Sequence, residues 1–499
     1  MIAEEEIQVA PRLPWRPEET RRACRGRVVV RLREEREHVP HTGDVTAGAQ
    51  AAAMRLDVDR VDQVLARRTH ATRVTRTFHA ASNVKNVGRR HEGYSELETA
   101  LGLSRTFRVD VDPDTSVVEL VGALSELDAV ESASPVYLSD CPFSAGAYGR
   151  SAATATAMSE PCLADWGHET CRVRAALELE PGDATVIVAI IDSGVFLDHV
   201  ELRGRCRAGA DLVDLPEHDV SRGIKLLGDH SRRDRAPIDE QGHGTGCAGI
   251  IAARGISLRP GVAGLSPVLP MRALAAAKVA DRVKPTALGT LSDIDLAVKL
   301  AVDLGARVLN LSFGTPESAL REGDPTPHVE VIEYALAHGC ILIAASGNSG
   351  DRVRYLPACL PGVIAVGAIG VDGKPAPFTT RGDHVALSAP GMEIRTAGLD
   401  GLVAQNGTSF AAPFVTGAAA LLVAHAARRL TPLSPFAMRD ILVRSATPFQ
   451  SGAGTEGCGV GVLDIPAALR AAESWSHVFD DEVGETSDLG RGADRPQPI

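Results

Sequence analysis

The sequence predicts an α/β chain built on a parallel sheet, with a smaller α+β domain in front of it. Three observations carry that expectation. Val186-Ile187-Val188-Ala189-Ile190-Ile191 is a continuous apolar, β-branched run, the pattern of a strand buried on both faces of a parallel sheet. Ile341-Leu342-Ile343-Ala344-Ala345 is a second such run, and it also ends in turn residues. The chain has 499 residues and is 44% hydrophobic, enough for a sizeable core plus one smaller domain. Aromatic residues make up only 4%, so that core must be built mainly from Ala, Val, Leu and Ile.

The elements follow in chain order. Arg25 to Arg33 contains a short Val28-Val29-Val30 strand, and Asp59 to Leu65 reads as helical. Arg67 to Arg90 is locally basic with acids on both sides, the mark of a solvated surface. Phe107-Arg108-Val109-Asp110-Val111 alternates like a half-buried strand. Thr115 is placed to N-cap a helix from Val117 to Leu127, and a strand from Val130 to Tyr137 follows. Asp140 to Glu160 is rich in Ala, Ser, Thr and Gly without periodicity, as a linker would be. The expected organisation is therefore a disordered extension at 1–24, an α+β domain at 25–139 and a linker at 140–160. An α/β domain at 161–472 and an acidic disordered tail at 473–499 complete it.

The α/β part carries the chemistry. Its first strand ends in Asp192-Ser193-Gly194, which puts an acid at the carboxyl end of a strand, where open α/β sheets bind their ligands. Gly242-His243-Gly244-Thr245 leads into the small-residue segment Gly246 to Ala252, a helix able to hold an imidazole in its first turn. Asn406-Gly407-Thr408-Ser409-Phe410-Ala411-Ala412-Pro413 sets a hydroxyl where a buried helix begins, and helix N-termini offer unpaired N–H groups to an oxyanion. Each of these segments also reads as ordinary structure when taken singly: a turn Asp, a surface His, an N-cap Ser.

Together the segments give Asp, His and Ser in that order, separated by 50 and 165 residues. On the words Ile191-Asp192-Ser193-Gly194, Gly242-His243-Gly244-Thr245 and Gly407-Thr408-Ser409-Phe410-Ala411-Ala412-Pro413, the chain from about 160 to 470 resembles the subtilisin-like serine peptidases. The resemblance implies a three-layer α/β catalytic domain that hydrolyses peptide bonds. In it Ser409 is the nucleophile, His243 the base and Asp192 its orienter. Asn348, in Ala345-Ser346-Gly347-Asn348, resembles the family's oxyanion asparagine, with the Ser409 N–H as second donor.

Val308 to Gly314 resembles the strand that pairs with extended substrate. Ser312, Phe313 and Gly314, together with Ala345, Ser346 and Gly347, would border the first specificity pocket, and Tyr355 would narrow that pocket if it points inward. Ala287 to Leu291 resembles the opposing edge segment. The strand–helix–strand order before residue 139 resembles the inhibitory prodomains of this family. The N-terminal domain is thus expected to inhibit in cis and to be released by self-processing in the 140–160 region.

Other features bound the reading. His199 and Glu201 match a segment where an acid can help hold structural calcium. The Ala253 to Arg259 loop supplies no carboxylates, so calcium is not supported, no cofactor is required and no metal is expected. Nine cysteines without C-x-x-C spacing give no metal pattern, and Cys247 reads as a small buried hydrophobe. A net charge of −12 argues against nucleic acid. The start is acidic with no apolar h-region, and Phe410 to Ala427 reads as a buried helix rather than a membrane span, so no membrane partner and a cytoplasmic location are expected. Gly457 to Asp464 is too weak a glycine run for nucleotide binding, and Arg381-Gly382-Asp383 and Asn406-Gly407-Thr408 are chance matches to adhesion and glycosylation signals. Two functions fit: an active endopeptidase, cutting extended peptide or protein segments, and a catalytically silent binding protein on the same fold. Intact Asp192, His243, Asn348 and Ser409 favour the first.

Overall fold

Two sheets organise the molecule, and one strand joins the domains. The computed structural model describes residues 23–40, 52–85, 93–141, 165–221, 223–231, 233–280, 284–320, 322–449 and 454–475. The N-terminal domain contains β1 (Ala23–Leu32), α1 (Asp59–Arg68), β2 (Thr72–Arg76), β3 (Thr106–Val111), α2 (Val117–Ser125) and β4 (Val130–Cys141). Its strands alternate between the face under α1 and α2 and the opposite face, and Val28, Val30, Phe107 and Val109 are fully buried. Ser116, not Thr115, caps α2, accepting from the Glu119 N–H, because Thr115 is held in the preceding turn by its N–H bond to Asp112.

The second domain has a nine-stranded sheet. Strand β5 (Ile187–Asp192) is third from one edge, flanked on that side by β8 (Val268–Arg272) and then β6 (Ala210–Asp211). On the other side lie β11 (Ala306–Leu311), Ile341–Ala345, Val363–Ile369 and Val385–Pro390. These pairs are all parallel. Parallel sheets need cover on both faces, which explains the apolar runs. One face is covered by α3 (His243–Ala252) and α6 (Thr408–Arg428), the other by α4 (Leu291–Asp303) and α5 (Val329–Ala337). Helix α6 is long and apolar enough to cross a membrane, yet it is packed inside this domain.

The smaller sheet contains seven strands in the order β2, β3, β1, β4, β10 (Thr286–Thr290), β9 (Ala275–Val279) and β7 (Ile224–Leu226). All its pairings are antiparallel. The first part of β4 pairs with β1, and its end pairs with β10, Leu138 opposite Thr290 and Cys141 opposite Ala287. Strand β4 therefore continues through Asp140 and Cys141, both buried, where a linker was expected from 140. The partner that makes these residues a strand lies about 150 residues later, out of reach of local composition. The strand expected to start at Arg25 begins at Ala23, and the last helix runs to Glu473. The expectations for 1–22, the linker from 142 to 160 and the tail from 476 lie outside the described residues.

The domains share a core and a charged shoulder. One apolar cluster runs from Val28, Phe107 and Leu120 into Ile294 of α4 and Val331 of α5. Arg27 meets Asp219 at 2.6 Å and Asp110 at 3.5 Å, while Arg108 meets Asp110 at 3.0 Å and Asp214 at 2.7 Å. Lys299, fully buried, bridges Glu98 and Asp303 at 2.7 Å each. The basic stretch after Arg67 is not simply solvated surface: Arg76 is buried, donates to the Val39 and Ser104 carbonyls and lies over the Phe107 ring.

Candidate active site

Residues from four separate elements converge at the carboxyl ends of the parallel strands. Strand β5 ends at Asp192, which is fully buried and whose carboxylate accepts from the Ser193 N–H at 2.7 Å. His243 is the first residue of α3, and its Nδ1 lies 2.8 and 3.0 Å from the two Asp192 oxygens. Gly244 makes this approach feasible, since a Cβ there would sit 2.2 Å from the Gly194 carbonyl oxygen. Ser409 is the second residue of α6, fully buried, with its backbone in the first turn of the helix.

Asn348 is anchored by its Oδ1, which accepts from the Thr408 N–H at 2.8 Å and the Thr408 hydroxyl at 3.0 Å. Its Nδ2 end lies beside Gly407. The amide is therefore oriented with its donor end toward the turn that precedes Ser409. The Ser409 hydroxyl donates to the Ser312 carbonyl at 3.3 Å. His243 Nε2 has no hydrogen-bond partner among the described residues. The structure thus joins Asp192 to His243 and Asn348 to the start of α6, but the Ser409 hydroxyl is turned to Ser312 rather than bonded to the imidazole. Such contacts are often loose until substrate fills a site.

The segments expected to border the first pocket lie at or just beyond the ends of neighbouring parallel strands. Ser312 donates to the Ser409 carbonyl at 3.0 Å, and Phe313 is buried with its ring edge-on to His328. Gly314 faces Asp140 of β4, its N–H directed at the Asp140 carbonyl at 3.5 Å. Ala345, Ser346 and Gly347 lie at the end of the neighbouring strand, buried, and Ser346 donates to the Thr380 carbonyl at 3.1 Å. Gly347 has φ +122°, and a Cβ there would meet the Tyr355 ring at 2.5 Å and the Thr380 hydroxyl at 2.6 Å. Tyr355 is buried, 1% exposed, with its ring packed against Gly347.

Several positioning residues escape a reading of the sequence. Asp239, buried, accepts on one oxygen from Ser193 Oγ and the Gln241 and Gly242 N–H groups, and on the other from the Thr245 N–H and hydroxyl. It fixes the turn that delivers His243, and burial pushes its carboxyl up against those lowering bonds. The Asp-x-x-Gly spacing before His243 is the turn signal that could have shown it. Asn310 donates to Ser312 Oγ at 2.8 Å and accepts from Thr416 at 2.9 Å, tying β11 to α6. That contact bridges residues over a hundred positions apart, so no local signal exists.

Glu201 is held by backbone donors. Its carboxylate accepts the N–H groups of Gly255, Ile256, Ser257 and Leu258, the loop that lacked carboxylates. Burial would raise it, but those four donors prevail and hold it below the usual glutamate range. Cys247 is fully buried, and burial pushes its thiol well up, which fits an inert packing residue.

Comparison with known proteins agrees with this architecture. The thermophilic serine proteinase of Bacillus sp. (strain AK1) is 35% identical over 251 residues, half of this chain and 54% of that protein. This chain thus spans little more than half the length of that relative. Thermitase from Thermoactinomyces vulgaris is 30% identical over 260 residues, 52% of this chain and 81% of thermitase. Subtilisin from Bacillus pumilus is 34% identical over 293 residues, 58% of this chain and 92% of subtilisin. Among solved structures, a protease from Pseudoalteromonas arctica PAMC 21717 shares the fold with a TM-score of 0.53 at 23% identity, covering 63% of this chain and 98% of that one. The model of the subtilase family, peptidase family S8, matches residues 183–461, more than half of the chain, and the protein belongs to that family.

Proposed function

We propose that this chain is a subtilisin-type serine endopeptidase acting on extended polypeptide segments. The observation that carries the reading is the buried His243–Asp192 contact of 2.8 and 3.0 Å beside the helix that begins at Thr408 and Ser409. The Ser409 oxygen attacks the substrate carbonyl carbon while His243 Nε2 takes the hydroxyl proton. Asp192 keeps the other imidazole proton on Nδ1 and stabilises the imidazolium. The oxyanion that forms receives the Asn348 Nδ2 hydrogen and the Ser409 N–H, donors fixed before the reaction begins. When the intermediate collapses, the carbon–nitrogen bond breaks and His243 gives its proton to the leaving amine. Water then attacks the acyl-enzyme with His243 again as base, which releases the acid and restores Ser409.

The end of β4 supports an extended substrate. Leu138 to Cys141 lies antiparallel to β10 while Asp140 faces Gly314, so a peptide strand fits between these two edges by main-chain pairing. In this reading the N-terminal domain is the enzyme's own inhibitor, held in the manner of a substrate, and the chain is cut beyond Cys141. The Tyr355 ring behind Gly347 leaves the first pocket shallow, which favours small residues before the scissile bond.

Labelling with a fluorophosphonate tests the reading. The expected result is one adduct, mapped to Ser409 and lost in His243→Ala. Folded, processed protein that takes no label would instead support the catalytically silent binding protein.

A further inference from the structure

The last residue of β4 places a thiol against the catalytic pair. Cys141 Sγ lies 2.8 Å from His243 Nδ1 and 3.9 Å from an Asp192 oxygen. All three residues are at most 3% exposed, and the three ligand atoms fall within 4.8 Å of one another. They come from β4, β5 and α3, so no spacing rule along the chain could link them.

We infer that Cys141, His243 and Asp192 form a binding site for a thiophilic divalent cation, with zinc as the best match, assembled only while the N-terminal domain's last strand occupies the cleft. A thiolate, an imidazole nitrogen and a carboxylate are the donors zinc prefers, and three protein ligands leave one tetrahedral position open. Zinc–ligand bonds of about 2.0–2.3 Å imply ligand atoms roughly 3.3–3.6 Å apart. The distances of 2.8 and 3.9 Å straddle that range, so sub-ångström shifts would seat the ion.

Charge also balances. A doubly positive ion beside one thiolate and one carboxylate is neutral overall, which a buried site requires. Binding releases the thiol proton to solvent, while the single proton of the neutral imidazole moves from Nδ1 to Nε2. That ring can no longer accept a proton from Ser409, so the ion would clamp the N-terminal domain in place and silence the base together. The silencing rests on the function proposed above; the metal site itself does not.

The test uses the full chain carrying Ser409→Ala, which cannot process itself, stripped with a chelator and titrated with zinc chloride or cobalt(II) chloride. The expected result is one zinc per chain and a thiolate-to-cobalt charge-transfer band. In the same background, Cys141→Ser is expected to abolish the band and weaken zinc binding at least 100-fold. A chain that binds neither ion overturns the inference, as does binding unchanged by Cys141→Ser. The cobalt band is read in the parent chain, so the result does not hinge on folding of the cysteine variant. Fluorophosphonate labelling of the wild type, run separately, reports on the peptidase reading, so failure of one is distinguishable from failure of the other.

Discussion

The N-terminal domain meets the second domain in two regions of opposite character. At the shoulder, Arg27, Arg108 and Lys299 are buried among Asp110, Asp214, Asp219, Glu98 and Asp303. At the cleft, Leu138 to Cys141 contribute main-chain pairing to β10 and one thiol beside His243. Buried ion pairs add little net stability over apolar packing, yet they punish any misplacement because an unpaired buried charge is costly. The shoulder therefore sets where the domain docks, and the cleft uses that register to bring a strand toward Ser409. Main-chain pairing alone would tolerate a slip of two residues; the charges do not.

Variants should separate the two regions. The largest effect is expected in the cleft: Ser409→Ala should lower kcat by about 10⁶-fold while leaving the N-terminal domain attached, as measured by peptide hydrolysis and gel filtration. Next comes the shoulder, where Arg108→Leu takes from Asp214 its 2.7 Å partner, leaving it Arg27 at 3.6 Å, and should destabilise the full-length chain by about 3 kcal/mol in urea titration. The isolated second domain, if obtained by processing, should keep its rate on small peptides in both forms of the shoulder. Asn348→Ala should cut kcat by about 10²–10³-fold with little change in KM, the signature of a donor used only in the transition state. Its loss also loosens Thr408, so labelling at Ser409 should slow in parallel.

Smaller effects refine the cleft. Tyr355→Gly should raise kcat/KM for large residues before the scissile bond roughly 10–200-fold relative to alanine, read from paired peptide substrates. A ratio that does not change would show that the ring lies outside the pocket. Acid should weaken the shoulder. Burial alone would raise Glu98 and Asp214, but Lys299 holds the former and Arg108 and Arg27 hold the latter below the usual carboxylate range. Folded carboxyls with lowered pKa add stability above the unfolded value of about 4, and that stability is lost as pH falls through the folded values. Asp303 and Asp219 run the other way, since burial raises them despite Lys299 and Arg27, so each gains stability as pH falls and offsets part of the acid loss. The loss from Glu98 and Asp214 should therefore set in below about pH 4, as followed by the release of the N-terminal domain in analytical gel filtration.

What the sequence disclosed divides along the same line. The parallel sheet was legible because strands buried on both faces need uninterrupted apolar runs such as Val186 to Ile191. Asp192, His243, Asn348 and Ser409 were legible because each sits in a short word of small residues demanded by close backbone packing, as at Gly244. The shoulder was not. Arg108 looked like the polar position of an alternating strand, and nothing near it in sequence names Asp214 as its partner. The Arg76 charge was misjudged as solvated for the same reason, since its acceptors are carbonyls on other loops. Asp140 and Cys141 read as linker because a strand is recognised by its own composition, whereas theirs is made by β10.

Intact-mass analysis of the wild type and Ser409→Ala, purified in parallel, tests the central claim most directly. The account predicts that the wild type is found as two chains divided within residues 142–160, with the N-terminal fragment still bound, while Ser409→Ala remains a single 499-residue chain. A wild type that stays uncut, or a Ser409→Ala chain divided at the same bond, would contradict it.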